Sequence, residues 1–188
     1  MATPRKAPAS TPRSLRKAGP APASGAHPRD VAVVFLAYEP KKGIDEYVRM
    51  VAAATPREIM ATERKGVRGQ LLKDLSKRMQ LPATRVFDIV GIPKATAEKK
   101  VAAGELVAGS GGQAVLGMIK LLGIAQELVD NSTANEARGF DAAKWLGQWL
   151  EPPQPALGGD RPGDLLDTPT GFDVVARLLG SIGSGAYQ

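Results

Sequence analysis

Cysteine is absent from this 188-residue chain, and histidine occurs once, at His27. Without thiols there is no disulfide, thiolate nucleophile, zinc knuckle or iron–sulfur ligation, and a reducing cytoplasm is the expected setting. A lone histidine in a Pro/Ala-rich stretch also removes Ser-His-Asp triads and multi-histidine metal sites. Aromatic residues make up only 5% of the chain, which argues against base-stacking platforms for nucleic acid. Long apolar runs are missing too. The longest uncharged stretch, Leu106 to Ile119, is too short and too rich in Gly and Ser to cross a bilayer, so no transmembrane helix or membrane partner is expected. The first 29 residues hold six prolines and no apolar run, which fits neither a signal peptide nor an amphipathic transit helix.

What is present is a globular composition, 43% hydrophobic and 23% charged, enough for one compact domain or two small ones. The net charge of +6 is unevenly placed. Arg5, Lys6, Arg13, Arg16, Lys17 and Arg29 stand in an acid-free leader. Residues 30–100 then carry 14 basic and 9 acidic groups, and residues 101–188 carry 5 basic and 10 acidic ones. A basic half suits a polyanion such as DNA, and an acidic half suits a positively charged protein surface.

The leader, residues 1–29, has too little apolar surface to offset the entropy of ordering and is expected to be disordered, either an inert tail or an arm attracted to phosphates. Residues 30–66 form an N-terminal extension. Val31 to Tyr38 reads as a short strand or buried segment, and Ile44, Tyr47, Val48 and Val51 fall at helical spacing. Thr55-Pro56-Arg57-Glu58 combines an N-cap, Pro at the first helical position and a capping-box Glu, so a new helix starts there. Helices follow at Val67 to Gln80, Thr84 to Val90 and Lys94 to Ala103, with Gly91 supplying a left-handed turn. A loop is expected over Gly104 to Gly112, then a fully buried helix over Val115 to Val129. A helix from Phe140 to Leu150 holds Trp145 and Trp149 and is capped near Asp141. Pro152 and Pro153 end it. A last helix spans Phe172 to Ile182, with Phe172, Val175, Leu179 and Ile182 on one stripe. The fold class is mainly all-α, with at most one strand.

The helices between Val67 and Gly104 read either as a helix-turn-helix, whose third member would lie in the DNA major groove, or as a small bundle with a solvated basic face. Lys94, Thr96, Lys99 and Lys100 are the exposed candidates on that third helix. They suit phosphates, and no Asn, Gln or Arg accompanies them for bidentate base reading. The Gly-rich stretches lack the Lys-Ser/Thr of a phosphate-binding loop. Asp164 and Asp167 are spaced as on any short surface helix. On the last helix Asp173 and Arg177 sit four apart, which makes either an intrahelical ion pair or a pair of groups turned to a partner.

The C-terminal run Ala143-Lys144-Trp145-Leu146, then Ala156-Leu157-Gly158-Gly159, Pro162-Gly163-Asp164-Leu165-Leu166-Asp167-Thr168, Gly171-Phe172-Asp173-Val174-Val175 and finally Gly185-Ala186-Tyr187 resembles the toxin-binding domain of the Xre/MbcA/ParS antitoxins, the ParS branch above all. Val90-Gly91-Ile92 with Thr96 and Lys99-Lys100 is similar to the Xre-like helix-turn-helix of the same family. The resemblance spans Val67 to Gln188. It implies a type II antitoxin, itself no enzyme and without cofactor or metal, that neutralises a RES-domain toxin acting on NAD by degradation or by ADP-ribosyl transfer. It implies an Xre-like DNA-binding and homodimerising domain at 67–138, a toxin-binding domain at 139–188, and binding to operator DNA of its own operon. The toxin-facing residues it implies are Trp145, Asp173, Arg177, Gly185, Tyr187 and Gln188, the last of them at a segment covering the NAD pocket. The chain departs from the family at Pro93, where a capping Ser is common, and at Gly183-Ser184. The alternative reading is a stand-alone helix-turn-helix regulator with a C-terminal dimerisation domain.

Overall fold

The structure, a computed structural model, describes residues 34–132 and 139–183. The leader, and Gly185, Tyr187 and Gln188 among the expected site residues, lie outside the described residues. The elements run α1 (Ile44–Ala52), α2 (Pro56–Lys65), β1 (Val67–Arg68), α3 (Gln70–Met79), α4 (Ala83–Ile89), α5 (Lys94–Ala103), β2 (Leu106–Val107), α6 (Gly109–Asp130), α7 (Ala142–Trp149) and α8 (Pro169–Gly183). The fold is mainly all-α, as the periodicities require.

Helix α6 is the axis of the core. Val115, Leu116, Met118, Ile119, Leu121, Leu122 and Ala125 are buried around most of its circumference, and α1, α2, α7 and α8 all pack on it. Each such Leu or Ile contributes about 1.5–3 kcal/mol by leaving water. By length and composition alone α6 is apolar enough to cross a membrane, contrary to the sequence expectation, because it starts at Gly109 instead of Val115. Its apolar surface is occupied by the neighbouring helices.

The early start of α6 has a steric cause. Gly112 lies so near the Val107 carbonyl that a Cβ there would overlap it, so glycine in the first turn lets the helix close onto β2. The same carbonyl faces Gly66. This crowding brings β1 and β2 together as an antiparallel pair, Val67 opposite Val107 and Arg68 opposite Leu106. The expectation of at most one strand is thereby corrected, as is the loop assigned to Gly104–Gly112. Two-residue strands carry no readable alternation.

Of the strand or buried segment expected over Val31 to Tyr38, residues 31–33 lie outside the described residues, and residues 34–38 form no strand but bury Leu36 and Tyr38. Side chains take over the backbone partners. The fully buried Thr62 hydroxyl accepts from the Leu36 N–H at 2.8 Å and donates to the Glu58 carbonyl at 2.8 Å. Tyr47 donates to the Leu36 carbonyl at 3.2 Å, and Tyr38 to Asp74 at 2.6 Å. Burial pushes the Tyr47 phenol up to about 12. The capping box at Thr55 and Glu58 forms as spaced.

Helix α3 ends at Gln80, which takes a left-handed φ of 55°, and Gly91 does the same between α4 and α5 with φ 64°. Helix α5 occupies the expected residues, and Pro93 gives it no side-chain cap. Helix α7 meets α3 at Gly147, whose Cα faces the Met79 carbonyl at a distance that leaves no room for a Cβ.

Asp141 caps α7 by accepting from Ala143 and Lys144 N–H, both at 3.1 Å, and is bridged by Arg78 of α3 at 2.6 Å. The Lys144 N–H, together with Arg78 and the Ala143 N–H, holds its carboxyl below the usual range. A carboxyl lowered in the folded state adds stability above its unfolded pKa of about 3.9, and this is lost as pH falls through the folded value. Asp141→Asn is therefore expected to lower the unfolding temperature at pH 7. The gap to the unmutated protein should narrow steadily below about pH 4, as thermal melts across that range would record.

Candidate functional site

Two surfaces carry the expected groups. The first is α5, which packs on α3 and α4 through the buried Ala97 and Val101. Lys94, Thr96 and Lys99 are exposed, and Lys99 lies on the side of the helix away from that buried pair. Lys94 is 3.9 Å from Glu98 one turn on. Lys100 is placed differently from the other three. Its ammonium donates to the Leu106 carbonyl at 2.9 Å and lies 3.6 Å from Glu105, so it ties α5 to β2.

The second surface is built by α7, α8 and the chain between them. Val175 and Leu179 seat α8 on α6, with Phe172 against Gly117 and Gly183 against Leu128. The first turn is closed by Thr168, whose hydroxyl accepts from the Gly171 N–H at 3.1 Å. Asp173 and Arg177 are both exposed and form no ion pair with each other. The intrahelical pair that their spacing allowed is not made, and both point to solvent. Asp173 borders a cleft of about 380 Å³ between α6 and α8, shared with Glu63, Lys120, Asp167 and Phe172. Lys120 spans it, 3.2 Å from Glu63 and 5.9 Å above the Phe172 ring.

Trp145 is half-buried and stacks on Trp149 with centroids 6.2 Å apart and planes at 24°. Phe140, 44% exposed, lies 6.1 Å away on its other side. These rings give α7 an apolar surface of the kind that anchors protein partners.

The side chains that join the two surfaces were not visible in the sequence. Arg85 of α4 reaches Glu151 at 2.8 Å and Asp164 at 2.7 Å. Arg78 of α3 holds Asp45 at 3.0 Å as well as Asp141. Burial alone would lower both guanidinium pKa values, and the hydrogen bonds to these carboxylates more than reverse that. The turn at Gly91 also touches the 150–168 stretch, since a Cβ there would lie 3.2 Å from the Asp167 Cβ. Partners 66 and 79 residues away leave no local signal. The i, i+3 pair Asp164 and Asp167 thus divides between the Arg85 bridge and the Gly91 contact.

Residues 126–185, from the last turns of α6 through α8, match the family model described as the antitoxin Xre/MbcA/ParS C-terminal toxin-binding domain. The chain is also 39% identical over 134 residues to the Prs ADP-ribosylating antitoxin of Sphingobium sp. (strain YBL2). That alignment covers 71% of this chain and 83% of the relative.

Because the Arg85 side chain is only 20% exposed, removing its charge leaves two carboxylates without their partner. Arg85→Gln is expected to cost about 1–2 kcal/mol, within the range for charged hydrogen bonds partly open to solvent, read by urea unfolding. No measurable loss would show the bridge to be neutral.

Proposed function

The chain belongs to the Xre/MbcA/ParS antitoxins, and from that premise we propose that it silences a RES-domain toxin by laying the segment after α8 across the toxin's NAD pocket. It is the antitoxin of a toxin–antitoxin pair, and its partner is a toxin protein. The relative's printed name speaks of ADP-ribosylation, which supports a toxin that transfers ADP-ribose from NAD or degrades it.

The observation that carries the reading is the state of α8. Its inner stripe is fixed on α6, while Asp173 and Arg177 stand free on the outer side of the helix that precedes the segment holding Gly185, Tyr187 and Gln188. A helix already fixed along one face has little entropy of its own left to lose on docking. Trp145, with Phe140 and Trp149, supplies the apolar anchor. The acidic excess of residues 101–188 complements a pocket shaped to hold a pyrophosphate. Blocking of this kind needs binding groups and no catalytic residue of the antitoxin.

The second activity we propose is repression of its own operon, as a homodimer through residues 67–138, in the cytoplasm. Lys94, Thr96 and Lys99 of α5 contact operator DNA, and Lys100 contributes what charge its bonds to Leu106 and Glu105 leave. The match to a toxin-binding domain favours this antitoxin reading over a stand-alone regulator.

Co-purification with the toxin encoded beside it tests the plug. Deleting residues 183–188 is expected to leave the complex intact and to restore NAD consumption or ADP-ribosylation. Inhibition unchanged by the deletion would overturn occlusion by the tail. For the operator, Lys94→Gln with Lys99→Gln is expected to weaken binding and to flatten the slope of log K against log salt by about 2, measured by fluorescence anisotropy.

A further inference from the structure

The N-terminal extension ends in a cluster of charge that neither surface above uses. At the close of α2, Arg64 and Lys65 are exposed, and β1 immediately presents Arg68 to solvent opposite Leu106. The chain then passes α5 so tightly that a Cβ on Gly69 would lie 3.0 Å from the Lys100 carbonyl carbon. This brings the α2–β1 elbow beside the C-terminal half of α5, where Lys99 is exposed.

Among the described residues, Arg64, Lys65, Arg68 and Lys99 form no ion pair. The acids that stand next to them in sequence or space are already engaged. Glu63 is bound to Lys120, and Glu105 to Lys100. Lys65 is steadied in place by the Phe35 ring, 4.7 Å below its ammonium. A groove of about 310 Å³ opens alongside, walled by Phe35, Ala37, Arg68 and Leu106. Cations left uncompensated at one edge repel one another, and a line of phosphates relieves that repulsion.

We infer that the α2–β1 elbow is a second phosphate-binding edge, taking the backbone of double-stranded DNA beside the groove entered by α5. It rests on the DNA-binding reading of α5 and assigns the partner of the 30–66 extension. The edge adds affinity and orientation without sequence preference, since Lys and Arg on phosphates read no bases.

The test uses the full chain and two duplexes of equal length, one from the region upstream of its own coding sequence and one unrelated. Binding is followed over a salt series. The triple variant Arg64→Gln, Lys65→Gln, Arg68→Gln is expected to lose about tenfold or more in affinity for both duplexes alike, and its slope should fall by about 2 to 3. Toxin binding and the far-UV circular dichroism should stay unchanged. Arg64→Lys with Arg68→Lys keeps the charges and should keep the slope. A triple variant with the original slope overturns the elbow, and the α5 reading stands if Lys94→Gln with Lys99→Gln still weakens binding. Loss at the elbow without loss at α5 supports the edge and overturns the groove assignment of α5. No binding of either duplex by the unmutated protein overturns both.

Discussion

Burial of α6 on nearly all sides is the constraint from which the rest follows. A helix that apolar has to be wrapped, and the chain wraps it with α1 and α2 from the extension and with α7 and α8 from the C-terminal part. The segment after Gly139 therefore shares a core with α1 and α2. The orientation of α8, and with it the direction in which Asp173 and Arg177 project, is inherited from Val175 and Leu179 lying against α6.

Onto this apolar axis the chain adds a few polar ties that set angles and spacings. Arg85 and Arg78 each hold two carboxylates from distant parts of the sequence, one set joining α4 to the stretch around Glu151 and Asp164, the other joining α3 to α1 and α7. Thr62 and Tyr47 do the equivalent for the segment before α1. Each partly exposed arginine–carboxylate pair contributes about 1 kcal/mol or less to stability. Their value lies in direction, because a guanidinium donates to carboxylates from a fixed fork of N–H groups. Helices α3 and α4 and the stretch from Asp141 to Asp167 are held in register by such forks and by the Gly91 contact with Asp167.

Much of this was legible in the sequence, and the pattern of success has physical causes. The capping box at Thr55, the bounds of α5, the cap at Asp141 and the inner stripe of α8 are local, so three or four neighbouring residues specify them. The resemblance of the C-terminal motifs to a toxin-binding domain was legible as well, and the family match at 126–185 agrees with it. The β1–β2 pair, the early start of α6 and the roles of Arg78 and Arg85 were not legible. Each depends on contact between residues far apart in the chain, and glycines such as Gly112 give their message only through what lies opposite. Lys100 belongs to the same group. Its type and spacing matched those of Lys99, and only the fold reveals that it is spent on Leu106 and Glu105.

The contact at Gly147 has a consequence for the aromatic surface. Helix α7 rests directly on the backbone of Met79, with no side chain between them to act as a cushion. Its standoff from α3 is gauged by a missing carbon, as a calliper is set by closing it on a hard edge. Adding that carbon would jack α7 outward and carry Trp145, Trp149 and Phe140 with it. The height at which these rings stand above α3 is thus fixed by a residue that has no side chain of its own.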